Sequence, residues 1–403
     1  MTRALSKIDR AAIADQRADI LGLFPDTRAL VSIVYRMNRA NVRCPSRAVS
    51  DLEYRQAFET VNAVAAEIAK ELRNLGVTCV HHSGGFPMDL SQFPSNMWPV
   101  AHKIVAAEAG LGKMGHNRLL IHPRFGNFVI LDTLMVDAEF SAYDQPLDYN
   151  PCIECKLCAA ACPVGAVAAD GYFYFTNCMT HNYRDRLGGF SDWVERIVSS
   201  RNPSDYRQRV SDPETVSMWQ SLSYGICNKS SYCMAVCPAG DDVIGDYLRD
   251  KKGYLAKIVK PLQQAEEKIY VKAGTDAEDH VRKRFAHKEI KRVGNGLRPG
   301  SVQDFFNSLP LVFQRNKAAG LDVTYHFDFT GRETCQGTVV LQDRTLTVAT
   351  ELTGTPDITI TADSKTWLRM LAGEARLLPA LLFRKIKIKG SPVLMKKFAE
   401  CFP

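Results

Sequence analysis

Four closely spaced cysteines constrain this chain more than any other feature of its sequence. The run PCIECKLCAAACPV, which begins at Pro151, places Cys152, Cys155, Cys158 and Cys162 at the spacing C-x2-C-x2-C-x3-C-P. This is the bacterial ferredoxin signature for a [4Fe–4S] cluster, in which the first three thiolates bind one cubane and the fourth usually binds a second. Zinc would favour two separated pairs of ligands, so the run favours an iron–sulfur cluster over a zinc site. The run therefore predicts a protein that transfers single electrons.

A second cysteine–proline pair lies further along the chain, in GICNKSSYCMAVCPAG. If both segments follow the crossed pattern of two-cluster ferredoxins, Cys237 completes the first cluster and Cys233 joins Cys162 in the second. Cys178 and Cys227 are the candidates for the two remaining positions. The predicted ligand set is Cys152, Cys155, Cys158, Cys162, Cys178, Cys227, Cys233 and Cys237.

The least regular spacing in this set is the five-residue gap between Cys227 and Cys233, since the usual gap is two. Without Cys227, the second cluster could use His181 or an oxygen ligand, or it could be absent. The isolated cysteines are expected to behave as small buried hydrophobic side chains. They are Cys44, Cys79, Cys335 and Cys401.

Composition and charge limit the class of protein. The 403 residues are 46% hydrophobic and 24% charged, as in ordinary globular proteins. The net charge of +7 is mild, and no basic stripe contains interleaved aromatic residues, so we expect no nucleic-acid partner. The start of the chain lacks an apolar signal region, and no apolar run could span a bilayer, so we expect a cytoplasmic protein that does not span a membrane.

The sequence divides into four segments. Residues 1–150 combine a helical pattern, AFETVNAVAAEIAKELRNLG, with strand patterns such as LVSIVYRM, and predict an α/β domain. Residues 151–245 form the cysteine-rich module, which is expected to be a ferredoxin-like α+β fold. Residues 246–300 are highly charged and are interpreted as a surface-lying, partly helical connector that could dock on a neighbouring part of the chain. Residues 301–403 predict an α+β domain with a helix capped by Ser301, an antiparallel meander and later short helices.

A glycine-rich loop precedes the cysteine run, in AAEAGLGKMGHN. Its candidate cofactor-binding residues are Gly110, Gly112, Gly115 and Asn117, because glycines allow a large ligand to approach the backbone closely. The loop runs from a helix to a strand, the reverse of a dinucleotide-binding fingerprint, which disfavours a nicotinamide site. Other polar residues could line a pocket nearby, namely His102, Lys103, His116, Arg118 and His122.

The glycine-rich loop, the apolar strand after it and the cysteine run together resemble the superfamily of epoxyqueuosine reductases and reductive dehalogenases over about residues 95–240. This resemblance implies a base-off cobalamin in the N-terminal domain, reduced by electrons that pass through both clusters. In the epoxyqueuosine reductases a catalytic aspartate lies fourteen residues before the first glycine, and here that position (110 − 14 = 96) is Asn96. An amide cannot donate a proton as a general acid, which argues against queuosine chemistry.

The last segment, residues 301–403, resembles a sterol carrier protein type 2 domain, with YHFDFTG, DITITAD, WLRMLAGE and KIKIKG in that family's order. The resemblance implies an α+β fold with an apolar tunnel for lipid-like molecules. Its candidate lining residues, which could equally form an ordinary core, are Phe306, Val312, Phe313, Trp367, Leu371, Leu378, Leu381, Leu382, Leu394 and Phe398. Nearby cations that could favour an anionic head group are Arg384, Lys385, Lys387 and Lys389.

Together these features predict an iron–sulfur oxidoreductase that passes low-potential electrons to an apolar or lipid-like substrate, with two [4Fe–4S] clusters and, as the resemblance implies, cobalamin. A covalently joined binding domain would raise the local concentration of such a substrate. The alternative is a non-catalytic electron carrier whose C-terminal domain docks on a lipid or protein partner. The expected electron donor is a protein such as a ferredoxin or flavodoxin. No catalytic residue is assigned.

Overall fold

The computed structural model describes residues 2–85, 88, 90, 93–94, 97–225, 229, 231–294, 296 and 298–403. Within these ranges the strands are β1 (Thr2–Lys7), β2 (Ala29–Arg36), β3 (Cys79–His82), β4 (Lys113–Met114), β5 (Leu120–Ile121), β6 (Val129–Val136), β7 (Lys268–Val271), β8 (Glu289–Arg292), β9 (Asp322–Thr330), β10 (Cys335–Gln342), β11 (Thr345–Ala349), β12 (Ile358–Asp363) and β13 (Ile386–Gly390). The helices are α1 (Ala14–Leu23), α2 (Arg39–Arg43), α3 (Arg47–Asn74), α4 (His102–Glu108), α5 (Leu157–Ala161), α6 (Phe175–Asn182), α7 (Gly188–Val198), α8 (Pro203–Arg209), α9 (Asp212–Tyr224), α10 (Tyr232–Ala235), α11 (Asp241–Arg249), α12 (Lys251–Tyr254), α13 (Lys260–Gln264), α14 (Asp276–Arg284), α15 (Val302–Val312), α16 (Ser364–Leu371), α17 (Leu377–Leu382) and α18 (Pro392–Cys401).

The N-terminal part is built on a four-stranded antiparallel sheet with the order β1-β2-β6-β3. Strand β6 is buried along its whole length, in keeping with its largely apolar sequence, although it includes Asp132 and Thr133. Helix α3 covers one face and buries Ala57, Val61 and Ala65 at helical spacing, while α4 packs on the other face. The predicted helix and strands of this part are confirmed, and Gly76, with φ 78°, ends α3 in the left-handed conformation.

The described part of residues 246–300 docks on the cysteine-rich module, as one part of the interpretation expected, but it does so through buried strands and not as a surface-lying connector. Strands β7 and β8 pair in parallel, and Ile269 and Val271 are fully buried beside Val164 and Ala166. Buried and half-buried residues alternate along β7. Because a strand buries only alternate residues on one face, charged residues between them gave this segment the composition of a linker.

The C-terminal part is a five-stranded sheet with the order β11-β10-β9-β12-β13, covered on one face by α15 to α18. Ser301 caps α15 through a hydrogen bond from the backbone N–H of Asp304, as predicted. Strands β9, β10 and β11 form the predicted meander, but β12 does not continue it, because it pairs in parallel with β9. Alternation along a strand shows which face is buried and does not show which strand lies beside it.

The C-terminal part docks on the cysteine-rich module through polar contacts. Arg315 forms an ion pair with Asp170 at 2.8 Å, and its guanidinium lies 4.4 Å from the ring centre of Tyr172. Lys317 pairs with Asp279 at 2.6 Å. In the ranges that the structure describes, no helix has both the length and the apolar character needed to cross a membrane.

Candidate functional site

Four of the predicted ligands line one small cavity. Cys152, Cys155 and Cys158 surround it from the cysteine run, and Cys237 lines it from the second cysteine–proline pair, together with Pro238. We call these four cysteines the first cysteine group. The structure therefore brings together the four cysteines that the crossed pattern assigns to one cluster, although they lie far apart in the sequence. Their role as ligands stays a prediction.

The backbone of the cysteine run has an unusual conformation around this cavity. Glu154 and Lys156 have φ values of 50° and 58°, in the left-handed region that residues other than glycine rarely adopt. Such conformations persist only where the surrounding structure imposes them, and successive N–H groups near them form an anion-binding concavity. The N–H of Leu157 donates a hydrogen bond to the sulfur of Cys155. The loop is thus shaped to stabilise negative charge on sulfur.

Three more predicted ligands form a second cysteine group, defined as Cys162, Cys178 and Cys233. Burial raises the pKa of Cys178 to about 12, and the nearby Cys162 adds to the rise. Burial likewise raises the pKa of Cys233 well above its usual value, with contributions from Cys178, Cys162 and Cys158. Since Cys158 belongs to the first group, the two groups adjoin. Cys227 lies outside the described residues, so the structure gives no position for an eighth cysteine.

Burial raises the pKa of six of these thiols and so favours their protonated form when no metal is bound, namely those of Cys155, Cys158, Cys162, Cys178, Cys233 and Cys237. It raises the pKa of Cys158 and of Cys237 to about 12, and only a bound metal would compensate by deprotonating the thiols it ligates. Zinc would need all its ligands about 2.0–2.3 Å from one point. Among the described residues no three His, Cys, Asp or Glu side chains are grouped closely enough to hold a single metal ion. Four cysteines around one small cavity are the kind of donor set that a [4Fe–4S] cluster uses, so these residues suit iron–sulfur chemistry.

The candidate glycines of the loop pack against the chain itself. A Cβ atom on Gly110 would lie 2.3 Å from the carbonyl oxygen of Gln145, and one on Gly112 would lie 2.4 Å from that of Ile121. A Cβ on Gly115 would lie 2.7 Å from the Ile121 side chain. Close packing within the protein therefore accounts for these glycines, and their contact with a cofactor stays a prediction.

The end of the glycine-rich loop joins the N-terminal part to the cysteine-rich module. The Asn117 amide donates to the carbonyl oxygen of Cys233 at 3.4 Å, and its Oδ1 accepts from the N–H of Leu119 at 3.2 Å. His116 Nε2 lies 2.8 Å from the carbonyl oxygen of Ala168. Because His116 and Asn117 also line the cavity of the first cysteine group, this loop contacts both groups.

Lys103 lies beside the second cysteine group. Its ammonium donates to the carbonyl oxygen of Arg118 at 3.1 Å, and its side chain is exposed. Desolvation by the surrounding protein lowers its pKa, and the thiols of Cys178 and Cys233 act in the opposite direction. Asn96, the residue in place of the expected aspartate, lies outside the described residues.

The other candidate histidines have structural partners. His102 is buried with Nδ1 2.9 Å from Thr133 Oγ1, and burial lowers its pKa to about 4. His122 accepts a hydrogen bond from the N–H of Arg124 at 3.1 Å. His181, the fallback ligand, accepts from the N–H of Tyr270 through Nδ1 at 3.3 Å, and burial lowers its pKa to about 3.

Two half-buried tyrosines beside the second cysteine group were not identified from the sequence. Tyr54, on α3, donates to the sulfur of Met234 at 2.9 Å. Burial raises the pKa of Tyr54 and Tyr183, and the nearby thiol of Cys233 contributes in both cases. Tyr54 is 180 residues from its partner in sequence, so no local pattern could have identified it.

Comparison with known proteins gives two separate likenesses. The model of the SCP-2 sterol transfer family matches residues 307–403. An epoxyqueuosine reductase of Lactococcus garvieae (strain Lg2) is 29% identical over 134 residues, which are 33% of this chain and 30% of that protein. The chain therefore spans less than a third of the length of this curated relative.

Solved structures give weaker likenesses. A catabolic reductive dehalogenase has a TM-score of 0.36 and 15% identity, over 64% of this chain and 30% of that one. Epoxyqueuosine reductase in complex with an epoxyqueuosine-modified tRNA-Tyr stem loop has a TM-score of 0.33 and 16% identity, over 44% and 52% of the two chains.

The tRNA complex overturns one expectation from the sequence. We expected no nucleic-acid partner because the net charge is mild, and that expectation is wrong, since a similar protein was crystallised with a tRNA stem loop. Net charge averages over a whole chain and says little about a local RNA-binding surface. The comparisons confirm both resemblances: the chain joins a region similar to epoxyqueuosine reductases to a C-terminal region, residues 307–403, that matches the SCP-2 sterol transfer family.

Proposed function

We propose that the chain is an iron–sulfur reductase with one [4Fe–4S] cluster in each cysteine group. The observation that carries this proposal is the cavity lined by Cys152, Cys155, Cys158 and Cys237, in which a distant cysteine joins three closely spaced ones. The likeness to epoxyqueuosine reductases supports the same class of activity. When bound, such clusters supply one-electron transfer at potentials set by their surroundings.

The residues of the chain set these surroundings in three ways. Thiolates of both groups would hold the metal, and N–H groups such as that of Ala166, 3.2 Å from the Cys162 sulfur, would stabilise negative charge there. Burial excludes water, since Cys158 and Cys237 are at most 9% exposed. The closeness of Cys158 to Cys233 gives electrons a short path between the groups.

Cobalamin is a further part of the proposal, supported by the reductase and dehalogenase likenesses. Lys103 and Arg118, both exposed beside the second cysteine group, are the described residues that would hold its polar groups. The loop glycines are less suited to contact a cofactor, because their neighbours are atoms of the chain itself. When bound, cobalamin would supply a cobalt centre that accepts the electrons.

The substrate of the relatives, an epoxyqueuosine-modified tRNA, is the first to test. Asn96 stands where those enzymes are expected to have a catalytic aspartate, and an amide supplies no proton. We therefore expect the wild-type chain to reduce this substrate slowly or not at all, and Asn96→Asp to increase the rate if the rest of the site is suitable.

The test is anaerobic purification followed by electron paramagnetic resonance of the dithionite-reduced protein, with and without added hydroxocobalamin. We expect signals of two interacting clusters and reduction of the added cobalamin. Cys155→Ser should remove one cluster signal and Cys178→Ser the other, whereas the isolated Cys335→Ser should remove neither. Clusters without any reduction of cobalamin or RNA would favour the non-catalytic electron carrier, and absence of both signals would refute the proposal.

A further inference from the structure

Helix α17 exposes large apolar side chains instead of burying them. Leu378, Leu382 and Phe383 are 74%, 81% and 78% exposed. Leu378 and Leu382 are four residues apart and therefore lie on one side of the helix. Ala380, which is 6% exposed, faces the core and anchors the helix to it. Exposed Leu378 and Leu382 do not line an interior tunnel here, which corrects their assignment as lining residues.

The chain around α17 is strongly basic. Residues 375–399 contain no Asp or Glu, and their cations are Arg376, Arg384, Lys385, Lys387, Lys389, Lys396 and Lys397. Arg376 and Arg384 lie at the two ends of the helix and are exposed, as is Lys385. None of these three forms an ion pair with another described residue. Just outside this stretch, by contrast, Arg369 pairs with Glu374 at 3.5 Å.

We propose that α17 with Phe383 and the adjacent cations is a docking surface for a lipid bilayer with anionic head groups. Exposed leucine and phenylalanine side chains enter the boundary between head groups and acyl chains, while lysine and arginine remain among the anionic head groups. Charge complementarity supports this occupant. A second copy of the same surface would bring like charges together, and an RNA backbone would leave the leucines in water.

This surface would place the C-terminal part at a membrane without any segment crossing it. It does not depend on the metal centre, so its failure would leave the proposed reductase activity untouched. Leu378 and Leu382, which do not line a tunnel, would then contact the membrane from the outer surface of the C-terminal part.

The test is co-sedimentation of the full holoprotein with vesicles of phosphatidylcholine, with and without phosphatidylglycerol. We expect binding only to the anionic vesicles, at least about tenfold weaker in the Leu378→Asp/Leu382→Asp variant. Arg384→Glu/Lys385→Glu should weaken it in a salt-dependent manner. Unchanged iron content and circular dichroism would show that each variant is folded.

Val198→Asp and Leu75→Asp are matched controls, because these side chains are 80% and 78% exposed but lie outside the basic stretch. Both should bind vesicles like the wild type. The proposal fails if anionic vesicles do not bind, if a control loses binding equally, or if the α17 variants weaken binding of an RNA stem loop and leave vesicle binding unchanged.

Discussion

The cysteine-rich module and the C-terminal part bury different chemistry. Around the cysteine groups the interior holds thiols, such as Cys162 at 8% exposed, and a small cavity between sulfurs. In the C-terminal part aromatic rings fill the interior, and Phe305 lies 5.5 Å from both Phe327 and Trp367 between ring centres. On the proposed function a bound cluster completes the first interior, whereas the second is completed by its own side chains.

This difference predicts that removal of the metal unfolds one region and leaves the other folded. It is the largest effect that we expect. Anaerobic chelation of iron should unfold the segments that carry the cysteine groups, because buried thiols and a cavity then replace metal–sulfur bonds. Residues 307–403 should stay folded. Hydrogen exchange followed by mass spectrometry would measure both regions in one experiment, and equal loss of protection in both would contradict the comparison.

A substitution in the core of the C-terminal part should destabilise only that part. Phe327→Ala removes a fully buried ring and should cost about 3–5 kcal/mol of the free energy of unfolding of that part, because it leaves a cavity. The iron content should stay unchanged. Leu378→Ala, at a 74% exposed position, is the control and should cost less than about 0.5 kcal/mol in the same denaturant titration.

A buried acid in the sheet of the N-terminal part should add a pH dependence. Burial raises the pKa of Asp132, on β6, to about 7, and its Oδ2 has no partner among the described residues. Because the pKa of Asp132 is higher in the folded state than in the unfolded state, its contribution to the free energy of unfolding is greatest below about pH 4. That contribution falls as pH rises through 7, by an amount of order 4 kcal/mol. Asp132→Asn should abolish this contribution. An unchanged pH profile of unfolding in that variant would contradict the assignment.

The contact between the two regions should contribute least. The Arg315–Asp170 ion pair is partly exposed, so Arg315→Ala should cost only about 1 kcal/mol, including the lost contact with Tyr172. Limited proteolysis should then cut near the interface at a moderately higher rate. Arg369→Ala, which breaks an exposed pair within the C-terminal part, should not change that rate.

The sequence predicted the cysteine groups better than their surroundings. Ligand spacing is a local property, so Cys152, Cys155 and Cys158 could be assigned together from sequence. The parallel pairing of β12 with β9 could not be predicted, because the alternation of apolar and polar residues along a strand does not specify the neighbouring strand. Tyr54 lies beside the second cysteine group although its helix is distant in sequence, so no local pattern identifies it. The loop glycines are explained by close packing within the chain without a bound ligand.

The central claim is that the two cysteine groups hold two clusters, and Mössbauer spectroscopy of anaerobically purified, iron-57-enriched protein tests it most directly. We expect about eight iron and eight sulfide per chain, all with [4Fe–4S] parameters. Cys237→Ser should remove the four-iron signal of the first group, which halves the total signal, and leave that of the second. Four irons in the wild type, or zinc with no sulfide, would contradict the account.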